Sequence, residues 1–235
     1  MINQAKFQAF TLAEVLITIA IIGIVAAMTL PSVIANYKKK EIPIRLKKFS
    51  STMQNAFNMA KLEHGPVESW KFPEHQMDFD EVNEFAHTYL YPYITGIKDC
   101  TSKEWICQKM SQNMYTATSY TIPVHIFADG GCFLFVTGGA NENSANIHFT
   151  YDYNCLGKPN EPDKDIFTFY LHYSGDTMSF RSGNFPSYNS SGLLKKRSEL
   201  MNLCKNHTQT HNSGICSALI EYDGWEIKDD YPFKI

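Results

Sequence analysis

Charge of one sign is not in excess in this chain: 21 Lys and Arg stand against 24 Asp and Glu, giving a formal net charge of −3 and a pI near 6.2. With no overall basic field there is no general hold on nucleic acid or on an anionic membrane surface, so any such contact is local. The sequence has no Gly-rich phosphate loop, no G-x-S-x-G elbow and no H-E-x-x-H helix. This removes the commonest signatures of nucleotide, acyl-transfer and zinc-hydrolase chemistry. The carboxylates and histidines are scattered in no order that favours a catalytic pair. No catalytic residue is assigned, and an enzyme is not expected. Internal repeats and long low-complexity linkers are absent too. Cysteine is missing from the first 99 residues, and apolar runs long enough to cross a membrane are missing everywhere but at one end.

The six cysteines that do occur are Cys100, Cys107, Cys132, Cys155, Cys204 and Cys216. An even number confined to the later part of the chain points to an oxidising compartment. Six cysteines allow 15 connectivities, which sequence leaves open. Near neighbours are the preferred pairs: Cys100 with Cys107, Cys132 with Cys155, Cys204 with Cys216. At 235 residues with 44% apolar and 14% aromatic content, the chain has enough for one core plus a separate anchoring segment.

That segment is Phe10 to Leu30, F-T-L-A-E-V-L-I-T-I-A-I-I-G-I-V-A-A-M-T-L, in which Glu14 is the one charge. As a helix it spans roughly 31 Å, the thickness of a bilayer core. It is longer than the apolar region of a secretory signal peptide, and the nine residues before it carry only Lys6. A carboxylate inside an apolar helix needs a partner or an interface. If the chain is cut before Phe10, the new α-amino group lies four residues, about 6 Å, from Glu14 and supplies a cation.

Ala9 followed by F-T-L-A-E and an apolar run resembles the processing and methylation signature of type IV pilins and type II secretion pseudopilins, over about Ala9 to Pro31. The resemblance implies a prepilin peptidase/methyltransferase that cuts between Ala9 and Phe10 and N-methylates Phe10. It also implies that Glu14 sets subunit register. Gly23 and Pro31 occupy positions where such helices carry Gly and Pro. The family usually has Gly before the cut, where this chain has the small Ala9. The implied fold is pilin-like α+β, a long N-terminal hydrophobic and amphipathic helix packed on an antiparallel-sheet head with disulfides. The implied partners are other pilin or pseudopilin subunits and, before assembly, the bacterial cytoplasmic membrane, with the head outside the cytoplasm and later in a periplasmic or surface filament. Lys38, Lys39, Lys40, Arg45, Lys47 and Lys48 follow the anchor and by the positive-inside rule favour the opposite orientation. Cysteine usage and the leader outweigh them.

Beyond Pro31, apolar Ile42, Leu46, Phe49, Met53, Ala56, Phe57 and Ala60 recur at steps of three and four, the mark of an amphipathic helix. It extends the anchor to about Glu63 and stops at Gly65-Pro66, with a kink or short break expected at Pro43. The basic run Lys38 to Lys40 reads as a solvated face, with lipid headgroups the alternative. The expected organisation is a leader at 1–9, a transmembrane and filament-core helix at 10–31, an amphipathic extension at 32–64 and an α+β head at 65–235. In the head, a second helix is expected from Asp80 to Tyr93. Tyr120 to Phe127, a turn at Asp129-Gly130, and Cys132 to Thr137 read as a hairpin. Ile147 to Tyr153 and Ile166 to Tyr173 continue the sheet, Leu193 to Lys205 is a late helix, and Ser217 to Ile227 is strand or helix.

Two loops carry ligand-like residues. Asp152 to Asp165, D-Y-N-C-L-G-K-P-N-E-P-D-K-D, is rich in oxygen ligands of the kind calcium takes. It resembles the calcium-binding loops of some pseudopilin heads, with Asp152, Asn154, Asp163 and Asp165 as candidate ligands. Asp, Asn, Gly and Pro also simply form turns. No cofactor is required. Cys204, His207, His211 and Cys216 have roughly a zinc spacing, but in an oxidising compartment the two cysteines form a disulfide. The cluster Lys195, Lys196 and Arg197 is a local hold for DNA or a helix-end charge cluster, and nucleic acid is not an expected partner. The expected function is a structural filament subunit, with secretion preferred over adhesion or DNA uptake because of the acidic loop. The alternatives are an exported binding protein cut after Val25-Ala26-Ala27, before Met28, and a permanently anchored surface receptor.

Overall fold

A computed structural model describes residues 10–75, 78–100, 104–115, 122–141, 144–174, 177–184, 187–206 and 215–235. The chain divides into two units, up to Lys39 and from Lys40 onward. Helix α1 (Leu12–His64) is continuous in assignment through both. Its part in the first unit is apolar round most of the stretch from Leu12 to Leu30, and none of its side chains is buried. An 18-residue window there has mean hydropathy 2.3, long and apolar enough to cross a membrane.

In the second unit α1 changes character. Ile42, Leu46, Phe49, Met53, Ala56, Phe57 and Ala60 are each at most 2% exposed, the stripe that the three-and-four spacing predicts. The helix stops where Gly65 takes φ +78°, a left-handed backbone that a Cβ would strain. The expected break at Pro43 does not occur. Pro43 is itself buried in the stripe. It costs the helix one backbone hydrogen bond, and the packing of the apolar face on either side outweighs that loss.

A six-stranded antiparallel sheet follows in sequential order: β1 (Ile97–Cys100), β2 (Val124–Phe127), β3 (Cys132–Asn141), β4 (Ser144–Asp152), β5 (Ile166–Ser174) and β6 (Thr177–Ser182). Period-two alternation gives the sheet two working faces. One face presents Phe133, Phe135, Phe149, Tyr151, Phe167, Phe169 and Phe180 to α1. The Phe49 ring lies stacked on Tyr151 at 4.1 Å and edge-on to Phe169 at 4.9 Å. Leu134 and Val136 point the other way and pack with Met110 and Met114 of helix α3 (Trp105–Met114). Helices α4 (Arg197–Asn206) and α5 (Cys216–Tyr222) close a third cluster around Leu200 and Leu219. On β5, Thr168 and Tyr170 are therefore buried as well as the expected Phe167, Phe169, Leu171 and Tyr173, because Ser217 donates to the Thr168 carbonyl (2.6 Å) and Tyr188 covers Tyr170.

Helix α2 (Phe79–Tyr89) is shorter than the expected Asp80 to Tyr93. The carboxylate of Asp78 caps it, accepting from the amides of Asp80 (2.9 Å) and Glu81 (3.0 Å). Pro92 disfavours helical backbone at Tyr91, and the chain tightens into a 3-10 turn at Tyr91–Tyr93. The expected hairpin forms between β2 and β3, with Gly130 at φ +88° in its turn. Tyr120 and Thr121 lie outside the described residues. The C-terminal element left open between strand and helix is α5.

Candidate functional site

At the start of α1 the sequence T-L-A-E closes a reciprocal cap. The Thr11 hydroxyl oxygen accepts from the Glu14 amide (3.2 Å), and Glu14 Oε2 accepts from the Thr11 amide and hydroxyl, both at 2.8 Å. Helix starts leave four backbone donors without partners, and this exchange satisfies two of them. It matters more in a membrane, where no water replaces the missing acceptors. Phe10 stands just outside the helix, 86% exposed. A residue outside the helix and open to solvent is what a peptidase needs at the position after the expected cut. Ala9, on the leaving side of the expected cut, lies outside the described residues. Thr11 is the participant that the sequence reading left without a role, although T-x-x-E ahead of an apolar run is itself the signature of such a cap.

A model of the prokaryotic N-terminal methylation motif matches residues 4–30, the signature of type IV pilins and pseudopilins. A second family model, described as a family of unknown function (DUF6613), matches residues 32–235. The chain belongs to that family. No curated protein and no solved structure matches it. The two matches meet near the point where α1 turns from uniformly apolar to amphipathic. The DUF6613 chain is thus a type IV pilin-like substrate of prepilin peptidase, built to assemble with other pilin-type subunits.

Within the head of this DUF6613 chain the three disulfides join Cys100 to Cys107, Cys132 to Cys155 and Cys204 to Cys216, the near-neighbour pairs. With both sulfurs of Cys204 and Cys216 in one bond, the zinc alternative has lost two of its four ligands. His207 and His211 lie outside the described residues. Cys100, Glu104 and Cys107 form the one group of three metal-ligand side chains that converge among the described residues, and their two sulfurs are bonded to each other.

The three aspartates of the 152–165 loop are wholly buried and accept from backbone amides, while Glu161 is half-exposed and pairs with Lys164. Asp165 accepts from Asn160 (2.7 Å) and Glu161 (2.6 Å), Asp163 from Cys216 (3.0 Å) and Asp152 from Asn154 (2.9 Å). These bonds shape the turn and tie it to α5, which is the turn-forming role of Asp and Asn. In its satisfied orientation the Asn154 amide donates to Asp152 Oδ1 and the Gly157 carbonyl, both at 3.0 Å. Asp152 Oδ2 has no hydrogen-bond partner, and burial pushes the Asp152 carboxyl up to about 8.

Arg197 cannot serve as the third cation of a DNA-binding cluster, because two carboxylates hold it. Its Nε and Nη2 donate to Asp223 (2.7 and 2.8 Å), and its Nη1 and Nη2 donate to Asp230 (2.8 and 2.7 Å). The basic residues after the anchor are also partly spent. Arg45 pairs with Glu41 (3.1 Å) and donates to the Asp129 carbonyl (2.8 Å), while Lys48 pairs with the Asp129 carboxylate (2.7 Å). These contacts fasten α1 to the β2–β3 turn and weaken the orientation argument from the positive-inside rule.

One polar cluster escaped the sequence reading. His87 of α2 binds Asp99 of β1 (2.6 Å), and Tyr91 binds both Asp99 and Nδ1 of the buried His125 on β2 (2.6 Å to the latter). The imidazole of His125, 3.7 Å from the Asp99 carboxylate, is the main cause holding Asp99 below the usual carboxylate range, with His87 adding to it, and burial lowers His125. His87 and Tyr91 are only four residues apart, but Asp99 and His125 come from two different strands, and no local spacing announces the four together. They tie α2 and the 3-10 turn to the edge of the sheet.

Proposed function

We propose that the mature chain begins at N-methylated Phe10 and serves as a structural subunit, a pseudopilin or minor pilin, of a type IV pilin-like filament. The apolar part of α1 anchors it in the cytoplasmic membrane with the head outside, and in the filament packs against its counterparts. The observation that carries this reading is the methylation motif over residues 4–30, placed on a helix whose first turn is closed by Thr11 and Glu14. On assembly, the Glu14 carboxylate exchanges its own-chain partners for the methylated amine of a neighbouring Phe10 and so sets register. Disulfides and leader together support an extracytoplasmic head.

Among filament systems, the acidic loop is the sequence's argument for secretion, and the backbone hydrogen bonds that its carboxylates make weaken it. The capture of Arg197 equally weakens a DNA-uptake role. Mass spectrometry of the mature N-terminal peptide tests the proposal. The expected result is methylated Phe10 and a formal charge of −4, the −3 of the whole chain less Lys6. A mature start at Met28, after Val25-Ala26-Ala27, would overturn it.

A further inference from the structure

Beside the last turns of α1 the head holds an open cavity of about 320 Å³. Its place is fixed by the His64 ring, 5.1 Å from that of Tyr89, and by the Tyr93 hydroxyl, which donates to Glu63 (2.8 Å). Phe72, Phe85 and Tyr89 line it with apolar surface, and Glu74, Glu81 and Glu84 stand around it with a single ammonium, Lys71. Lys71 is spent on Glu84 (2.9 Å), and Glu81 on the ring of His75 (2.8 Å) and the amides of Glu74 and His75. The carboxylate of Glu74 is exposed and makes no hydrogen bond or ion pair among the described residues, though its charge also acts on Lys71 and His75 from a distance. An apolar cavity with a surplus of negative charge at its mouth fits an apolar side chain flanked by cations.

The head carries that complement on its own surface. Lys40, Ile44 and Lys47 follow one another at i, i+4 and i+7 on α1, so they share one face. All three are exposed, Ile44 by 68%, in a stretch where Ile42, Leu46 and Phe49 are buried. Neither lysine has a partner among the described residues, whereas Arg45 and Lys48 beside them are paired. From Ile44 to His64 is 20 residues of helix, about 30 Å. The stripe and the cavity therefore sit well apart along one helix, and a chain cannot fill its own cavity with its own stripe.

We infer that the cavity receives the Lys40–Ile44–Lys47 stripe of a second copy of this chain, Ile44 entering the apolar floor and Lys40 or Lys47 meeting Glu74. Two different surfaces meet, so the contact is heterologous. Repeated, it adds copies displaced by about 30 Å along α1 and does not close into a dimer. This inference rests on the filament reading, to which it adds a specific contact between heads.

The test uses full-length chains. Two differently tagged copies are co-expressed, one with Ile44→Cys and one with Thr88→Cys in the cavity wall, and treated with a short bismaleimide. The expected product is a heterodimer bearing both tags, with none when the cavity copy instead carries Leu193→Cys, an exposed site that does not line the cavity. Adding Glu74→Lys to the cavity copy should cut the yield at least tenfold, and adding Lys40→Glu to the stripe copy should restore most of it. Both charge changes are at exposed positions and leave the core intact. Absence of the heterodimer, or a yield indifferent to Glu74→Lys, would overturn the inference. Filaments without the crosslink leave the filament reading standing and remove this contact. A charge-dependent crosslink without filaments does the reverse.

Discussion

Replacing Asp152 by Asn should stabilise the head at neutral pH and flatten its pH dependence. Asp152 sits at the end of β4, opposite Ile166 and Cys132, with no exposed surface. One carboxyl oxygen is bonded by the Asn154 amide at 2.9 Å and the other has no partner. Burial is the largest cause that raises its pKa to about 8, and the neighbouring Asp165 adds to it. A carboxyl whose folded pKa lies above its unfolded value near 4 binds more protons in the native state. Native stability therefore falls as pH rises from about 4 to about 8, and levels off above. At about 1.4 kcal/mol per pH unit, the loss accumulated by pH 7 is at most about 4 kcal/mol. Asparagine keeps the oxygen that accepts from Asn154 and removes the titration. The assay is denaturant unfolding in detergent, followed by fluorescence of Trp70, which is 6% exposed and stacked on Tyr89 at 4.4 Å. The variant should gain nothing at pH 4 and most at pH 8. Parallel pH profiles for the two proteins, offset or coincident, would show that Asp152 does not titrate in this window.

Glu14→Gln should leave leader cleavage and membrane level unchanged, as scored by immunoblot mobility, while few filaments appear by electron microscopy of sheared material. Wild-type filament yield from the variant alone would reject the register role. Thr11→Ala removes the hydroxyl of the cap and should fray the helix start, costing about 1 kcal/mol. Faster exchange of the Leu12 to Glu14 amides would register it, and unchanged exchange would show that the cap does not hold in the bilayer. Phe49→Ala empties the centre of the interface between α1 and the sheet, where Phe49 meets the rings of Phe127, Phe133, Tyr151, Phe169 and Phe180. A loss of about 3 to 5 kcal/mol is expected in the same unfolding assay, and a loss under about 1 kcal/mol would mean that α1 is not seated on the sheet as described.

What the sequence made legible was whatever depends on short-range spacing. The buried stripe from Ile42 to Ala60 follows from steps of three and four, and the β2–β3 hairpin from Asp129-Gly130 between apolar runs. β5 could be read from its alternation, but not the burial of Thr168 and Tyr170, because α5 and Tyr188 reach that face from far along the chain. β1 and β6 were missed: Ile97–Cys100 has only four residues, two of them exposed and charged, and it pairs across a gap of more than 20 residues with β2. Helix α3 was missed although Cys107, Met110, Ser111 and Met114 do recur at helical steps, because a ten-residue window with a serine in its short stripe is a weak signal. The methylation motif was readable from a short stretch of sequence, whereas the cavity beside α2 needs Lys71, Glu74 and Glu84 brought together by tertiary packing.

Fourteen large apolar side chains between Phe10 and Ile34 are exposed. Covering each is worth about 1.5 to 3 kcal/mol, so removal from water favours membrane or filament by roughly 20 to 40 kcal/mol. That term disfavours a free monomer in water, but it does not decide assembly. Lipid tails are as apolar as neighbouring helices, and moving α1 from bilayer to filament changes the hydrophobic contribution little. The choice between the two states must then rest on groups whose partners differ between them. In the apolar segment that group is Glu14, held by Thr11 in the single chain and, in the filament proposed above, facing a neighbour's amine. In the head, by the docking inferred above, it is Glu74 and Lys40, whose charged groups make no ion pair in one copy and acquire one in two. Few polar groups are involved, and their separate loss should change filament yield far more than membrane insertion.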